Sequence, residues 1–365
     1  MPLQAETFMC LSTFGSCLSR TPFHRGLLQF HPSKQEARMQ DPVKVFIMLG
    51  ENNMVGEGHV RGDVEGTLDH TVFEKQRFTH LIDKDTHEWE NRTDVRHVAV
   101  SSSEFTIHRN EWLGMKHGRH HIGPELQFGY IMGELSDSPV LLVKASAHSK
   151  SLGVDLLPPG SERFEHDGYM YAGYGDRQFR WLKGTQPVPV TIEDWYAGRQ
   201  YDIVVNNTKK ILSDIGSYYP KGNDFEIAGF VLWQGESDLR QPALVSRYEQ
   251  NLVRLIRKLR EDFDAENAKF AIASIGIDGM NMHGDALKVL KAQLAVGDGV
   301  TYPEFSSNVR TVDIRSSWRQ PFSRPFRDDN ALNQNYAAYG HNAELVMEVS
   351  NALGWTMANL LTGSR

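Results

Sequence analysis

Val43-Lys44-Val45-Phe46-Ile47-Met48-Leu49 runs straight into Gly50-Glu51-Asn52-Asn53-Met54-Val55-Gly56-Glu57-Gly58. Apart from Lys44, the first seven residues are apolar on both alternating faces, as expected of a strand buried inside a parallel sheet. A glycine then ends the run, and small polar residues follow it. In α/β proteins the carboxyl end of such a strand is where functional side chains emerge, which places Asn52 at the edge of a cleft.

Four more runs share this character, over 140–145, 227–233, 270–275 and 309–314. Together with the first they predict a central parallel sheet of about five strands. Helical patterns lie between them. Tyr248, Leu252, Leu255, Ile256, Leu259 and Phe263 recur on one helical face, and Leu345, Val346, Val349, Leu353, Met357 and Leu360 do so near the end of the chain. Alternating strands and helices imply a three-layer α/β/α fold, flavodoxin-like, in a single domain over 41–365. Two stretches, 62–121 and 158–193, have no sustained period and read as long loop excursions over the strand ends.

Composition narrows the function classes. A formal charge of -7 disfavours a general nucleic-acid binder, which needs clustered cations to neutralise phosphates. No apolar stretch reaches the roughly 18–20 residues needed to span a bilayer. Both cysteines, Cys10 and Cys17, precede residue 41, so neither a thiol nucleophile nor a cysteine-zinc site is expected in the main domain. Residues 1–40 lack the basic start of a signal peptide and read as a disordered leader, or as the product of a start upstream of Met39.

The motifs carry a resemblance. Gly50-Glu51-Asn52-Asn53-Met54 resembles the first motif of the SGNH/GDSL hydrolases, in the sialate O-acetylesterase branch related to carbohydrate esterase family six, where Gly-Gln-Ser-Asn-Met contains the nucleophilic serine. Gly123-Pro124-Glu125 is similar to the family's Gly-Pro-Glu segment. Lys144-Ala145-Ser146-Ala147-His148-Ser149-Lys150-Ser151-Leu152 resembles its Lys-x-Ala-Trp-Gly-Gly-x-Ser-Leu, and Trp233-Gln234-Gly235-Glu236-Ser237-Asp238 its Trp-x-Gln-Gly-Glu motif. Tyr339-Gly340-His341-Asn342-Ala343-Glu344 resembles the closing His-Tyr-x-x-Asn-Ala-Glu.

The resemblance implies serine chemistry on acylated carbohydrates, and this chain lacks its reacting atoms. Asn52 stands where the serine would be, Asn335 where the aspartate would be, and Ala338 where the histidine would be. An amide has no hydroxyl to deprotonate, and alanine accepts no proton. Shifting the C-terminal register by one turn would offer His341 as the base, and would still leave residue 52 without a hydroxyl. His148 and Ser149 replace the Gly-Gly pair whose second N–H would face an oxyanion.

The expectation is therefore a carbohydrate O-acetylesterase-like protein that has lost esterase catalysis. It would keep a polar cleft of Asn52, Asn53, His148, Ser149, Gln234 and Glu236 for an acylated glycan or a similar small polar ligand. Two alternatives stand beside it: an active esterase with its nucleophile relocated to Ser149 or Ser151, and a structural protein whose cleft is filled by the 62–121 excursion. No cofactor is implied. His117, His120 and His121, flanked by Lys116 and Arg119, read as solvated loop residues rather than metal ligands. Trp112, Trp181 and Trp195 are the tryptophans considered for stacking on sugar rings.

Overall fold

A computed structural model describes residues 42–101, 105–188, 195–219, 224–318 and 341–364. The leader expected over 1–40, together with Asn335 and Ala338, lies outside them.

The expected strands all form. They are β1 (Val43–Gly50), β4 (Val140–Lys144), β5 (Phe225–Trp233), β6 (Lys269–Ala273) and β7 (Val309–Val312), and they pair in parallel. Two further strands, β2 (Asn91–Val100) and β3 (Ile107–Gly114), extend the sheet from the β4 edge. The order is β7-β6-β5-β1-β4-β2-β3, with β2 parallel to β4 and β3 antiparallel at the edge.

This corrects two expectations: the sheet has seven strands rather than about five, and the 62–121 stretch is partly sheet rather than loop. The period is masked in β2 by polar side chains that find partners. His97 is fully buried, and its Nδ1 lies 3.1 Å from the Arg119 guanidinium. The second excursion contains a small antiparallel sheet of Phe164–His166, Tyr169–Tyr171 and Arg180–Leu182.

Alternation along β1 sends Val45, Ile47 and Leu49 to one core and Phe46 and Met48 to the other. The first core is closed by helices at Arg199–Leu212, Tyr248–Asp262 and Gly284–Gly297, through Tyr201, Leu252, Leu255 and Val289. The second is closed by Glu125–Leu135 and Ala343–Thr362, through Phe128, Ile131, Val349 and Leu353. The two helices of that second layer touch where Gly354 faces Ile131, so closely that an added Cβ would lie 2.6 Å from Ile131 Cδ1. The sheet is thus sandwiched between two helical layers, and the carboxyl ends of β1, β4 and β5 meet at one edge.

Candidate functional site

Gly50 makes the edge possible. Its φ of 152° and its closeness to β5, where a Cβ would come 2.1 Å from the Trp233 carbonyl oxygen, leave room only for glycine. The chain then turns into a short helix, Asn52–Val55. Lys144 at the end of β4 steadies that turn, its ammonium donating to the Val55 carbonyl at 2.8 Å and to Glu125 at 2.8 Å.

Glu51 is 1% exposed and binds the β1 turn to the loop after β5. Its Oε1 accepts the backbone N–H groups of Gly235 at 2.9 Å and Ser237 at 3.0 Å, and its Oε2 meets the Ser237 hydroxyl. A carboxylate deprived of water needs such donors, and these are the strong, charge-assisted kind. Glu51, read in the sequence only as a substitute for glutamine, is the clamp between two motifs.

Asn52 is partly exposed. Its Oδ1 accepts the Ser149 N–H at 2.9 Å and lies 3.2 Å from His148 Nδ1. Ser149 has a left-handed backbone, φ 56°, a conformation that favours glycine. It stands where the resembling family carries glycine. His148 and Ser149 are exposed, and the Ser149 hydroxyl lies 3.4 Å from Arg240 Nη2.

The other expected residues sit deeper. Asn53 is 2% exposed and donates to Glu236 Oε1 at 3.0 Å, while its own Oδ1 has no partner among the described residues. Gln234 is fully buried. Its amide nitrogen donates to Asp238 at 2.7 Å and to the Lys150 carbonyl at 3.1 Å, and its oxygen accepts from the Tyr248 hydroxyl at 3.0 Å. Those contacts fasten the floor and keep Gln234 from lining the cleft, as the motif alone suggested it would.

Asp238 receives the N–H groups of Leu152 and Gly153, each at 2.8 Å, fixing the loop after β4 against the loop after β5. Burial pushes its carboxyl up to about 7, against the pull of those donors.

Around Glu57 stand imidazoles that the sequence did not group. His148 Nε2 and His341 Nδ1 each lie 3.7 Å from a different Glu57 carboxylate oxygen. The His59 ring is 4.9 Å from that of His121 and 5.0 Å from that of His341, between centroids. Burial, then the neighbouring His341 and His121, lowers His59 to about 4. His59 and His121 face each other because Gly58–His59 pairs antiparallel with His121–Ile122. His117 and His120 are exposed on the preceding loop. Among the described residues no group of three or more His, Cys, Asp or Glu is arranged to hold a metal ion.

The tryptophans singled out in the sequence pack elsewhere. Trp181 is 6% exposed, under Arg163, and Trp112 packs against Tyr219. Trp195 joins a small cluster with Val154 and Leu157.

Residues 181–310 match the family model described as carbohydrate esterase, sialic acid-specific acetylesterase. That stretch carries the Trp233-Gln234-Gly235-Glu236 motif. No curated protein is similar enough in sequence to count as a match. Among solved structures, a protein of Arabidopsis thaliana superposes with a TM-score of 0.49 at 17% identity, covering 87% of this chain and 99% of its own. A carbohydrate acetylesterase from Xanthomonas citri gives 0.50 at 12% identity, covering 88% of this chain and 56% of its own. NanS gives 0.47 at 14% identity, covering 89% and 98%. At these identities the superposition at 0.50 speaks for the fold. The family match over 181–310 agrees with the resemblance read from the motifs in that stretch. No helix among the described residues is long and apolar enough to cross a membrane.

Proposed function

We propose that this chain is a carbohydrate-esterase-like protein that binds an O-acylated glycan, or a similar small polar ligand, and does not cleave it. One contact carries the reading. The carboxamide of Asn52, at the position of the nucleophile, accepts the Ser149 N–H at 2.9 Å. A serine esterase needs a hydroxyl at that position and a free donor facing the developing oxyanion. Here the first is replaced by an amide and the second is engaged by that same amide. Asn52, His148 and Ser149 then form the polar face open to a ligand, with Asn53, Glu236 and Gln234 as the support behind it.

A second reading, an esterase with a relocated nucleophile, is favoured by His148 lying between Asn52 and Glu57, where an imidazole is oriented by a carboxylate. Ser149 would then have to supply the hydroxyl. One experiment separates the two. Acetylated xylo-oligosaccharides and 9-O-acetyl-N-acetylneuraminic acid are titrated by calorimetry while released acetate is followed. The proposal expects saturable binding with acetate release no faster than for a Ser149→Ala, His148→Ala double variant. Release well above that variant overturns it in favour of the esterase, and no binding of either probe overturns it in favour of a filled, structural cleft.

A further inference from the structure

The segments around 61–74, 87–89 and 115–118 line an open pocket of about 640 Å³. That falls within the roughly 300–1,000 Å³ usual for small-molecule sites. Phe73 and Trp89, in edge contact with ring centroids 5.1 Å apart, and the buried Met115 supply apolar wall. Asp63, Asp69, Glu74 and Glu88 face it together with Arg61 and Lys116, so carboxylates outnumber cationic side chains by four to two. Asp69 Oδ1 and His70 Nδ1, from two lining residues, have no hydrogen-bond partner among the described residues. Shielded polar atoms are seldom left unmatched in a native protein.

We infer that this cavity is a second binding site, for an uncharged sugar unit of the glycan whose acylated unit lies at Asn52. The inference rests on the carbohydrate reading of the neighbouring cleft. Three features point to that ligand. Aromatic surface next to hydrogen-bonding side chains of both kinds matches a pyranose, which offers apolar C–H faces and a rim of hydroxyls that both donate and accept. The excess of carboxylates disfavours an anionic sugar or a phosphate. The lining is also close in sequence to the imidazoles around Glu57: Arg61 follows His59 by two residues, and Gly118 precedes His121 by three, while His59 and His121 are the paired rings beside His341.

The test uses unacetylated xylohexaose and cellohexaose, which give the Asn52 face no acyl group to hold, with 6′-sialyllactose and choline as anionic and cationic controls. Binding is followed by calorimetry and tryptophan fluorescence on the full chain. Expected is saturable binding of at least one neutral hexasaccharide, weakened tenfold or more by Trp89→Ala. Trp89→Phe should retain affinity within about threefold, since the aromatic wall survives. A Glu88→Gln, His87→Ala double variant on the exposed rim covers the case in which Trp89→Ala fails to fold, and is expected to weaken binding severalfold. Equal binding by wild type and these variants, no binding of either neutral hexasaccharide, or preference for sialyllactose or choline overturns the inference. If in that case acetylated xylo-oligosaccharide still binds in an Asn52-dependent way, the cavity assignment fails and the reading of the cleft stands.

Discussion

The carboxamide oxygen of Asn52 accepts the backbone N–H of Ser149 across the ends of β1 and β4. Restoring the reacting groups should reverse what that contact does. Asn52→Ser frees the Ser149 N–H and supplies a hydroxyl, and adding Asn335→Asp and Ala338→His supplies the rest of the triad the resemblance implies. The triple variant is expected to hydrolyse 4-nitrophenyl acetate at least about tenfold faster than wild type, with the single Asn52→Ser change giving much less, because triad members act as a unit. Rates followed at 405 nm check it. No gain in the triple variant would mean that positions 335 and 338 do not serve residue 52.

Glu51 sets a second expectation. Its side chain holds two backbone N–H groups and a hydroxyl in a site closed to water. Glu51→Ala strands those donors and should cost about 2–4 kcal/mol, the range for losing charge-assisted bonds in a buried site. Glu51→Gln keeps the accepting oxygen and should cost about 1 kcal/mol or less. Urea unfolding of the two variants measures the difference; equal losses would show that charge, rather than hydrogen-bond geometry, fastens β1 to the loop after β5.

Much of the frame was legible because the chain writes it in side-chain period. β1, β4, β5 and β6 are largely apolar on both faces, and only a doubly covered sheet has use for such strands; the edge strand β7, with Arg310 and Thr311, carries a weaker signal. β2 and β3 were hidden by the same logic. Their Arg96, His97 and Glu111 look like loop residues until Arg119 is seen beside His97 and Glu111. The strand-end motifs named the candidate cleft, and the depth of its residues could not be read from them. Gln234 and Asn52 are both amides at strand ends, yet Gln234 is sealed in by Tyr248 and Asp238, and that depends on partners distant in sequence. Glu57, His59 and His341 escaped notice as a group for the same reason, although Gly-Glu-Gly-His at 56–59 follows the first motif directly.

Glu125 should carry much of the stability beneath the site. It is 2% exposed and joins Arg119 at 3.0 Å and Lys144 at 2.8 Å. Burial alone would raise its carboxyl, but the charges of Lys144 and Arg119 overcome that and hold it well below the usual carboxylate range. Its contribution is therefore fully present above the unfolded value of 4.5 and is lost as pH falls toward the depressed folded value. Glu125→Gln leaves Lys144 and Arg119 buried with less compensation and should cost about 3–5 kcal/mol at neutral pH. It should also flatten the acid limb of the stability curve. Denaturant midpoints from pH 7 to pH 3 test both statements, and an unchanged acid limb in the variant would refute the second.

His59 gives the opposite kind of group a measurable signature. Partial burial, with His341 and His121 as neighbours, disfavours its cation and lowers it from 6.5 to about 4. The unfolded chain thus binds the proton more readily than the folded one between those values. The stability linked to His59 is full above about pH 6.5 and is lost as pH falls through about 4. Nitrogen-15 histidine spectra should show the His59 ring titrating with a midpoint near 4, and His341→Asn should move that midpoint upward by removing one of the two neighbouring charges. Because His59 pairs with His121 in the short strand pair next to Glu57, protonation should loosen that pair and raise amide exchange at 58–59 and 121–122 before the central sheet responds. A His59 midpoint near 6.5, or exchange in those residues that is indifferent to pH between 4 and 6.5, would contradict the packing of these three rings as the cause.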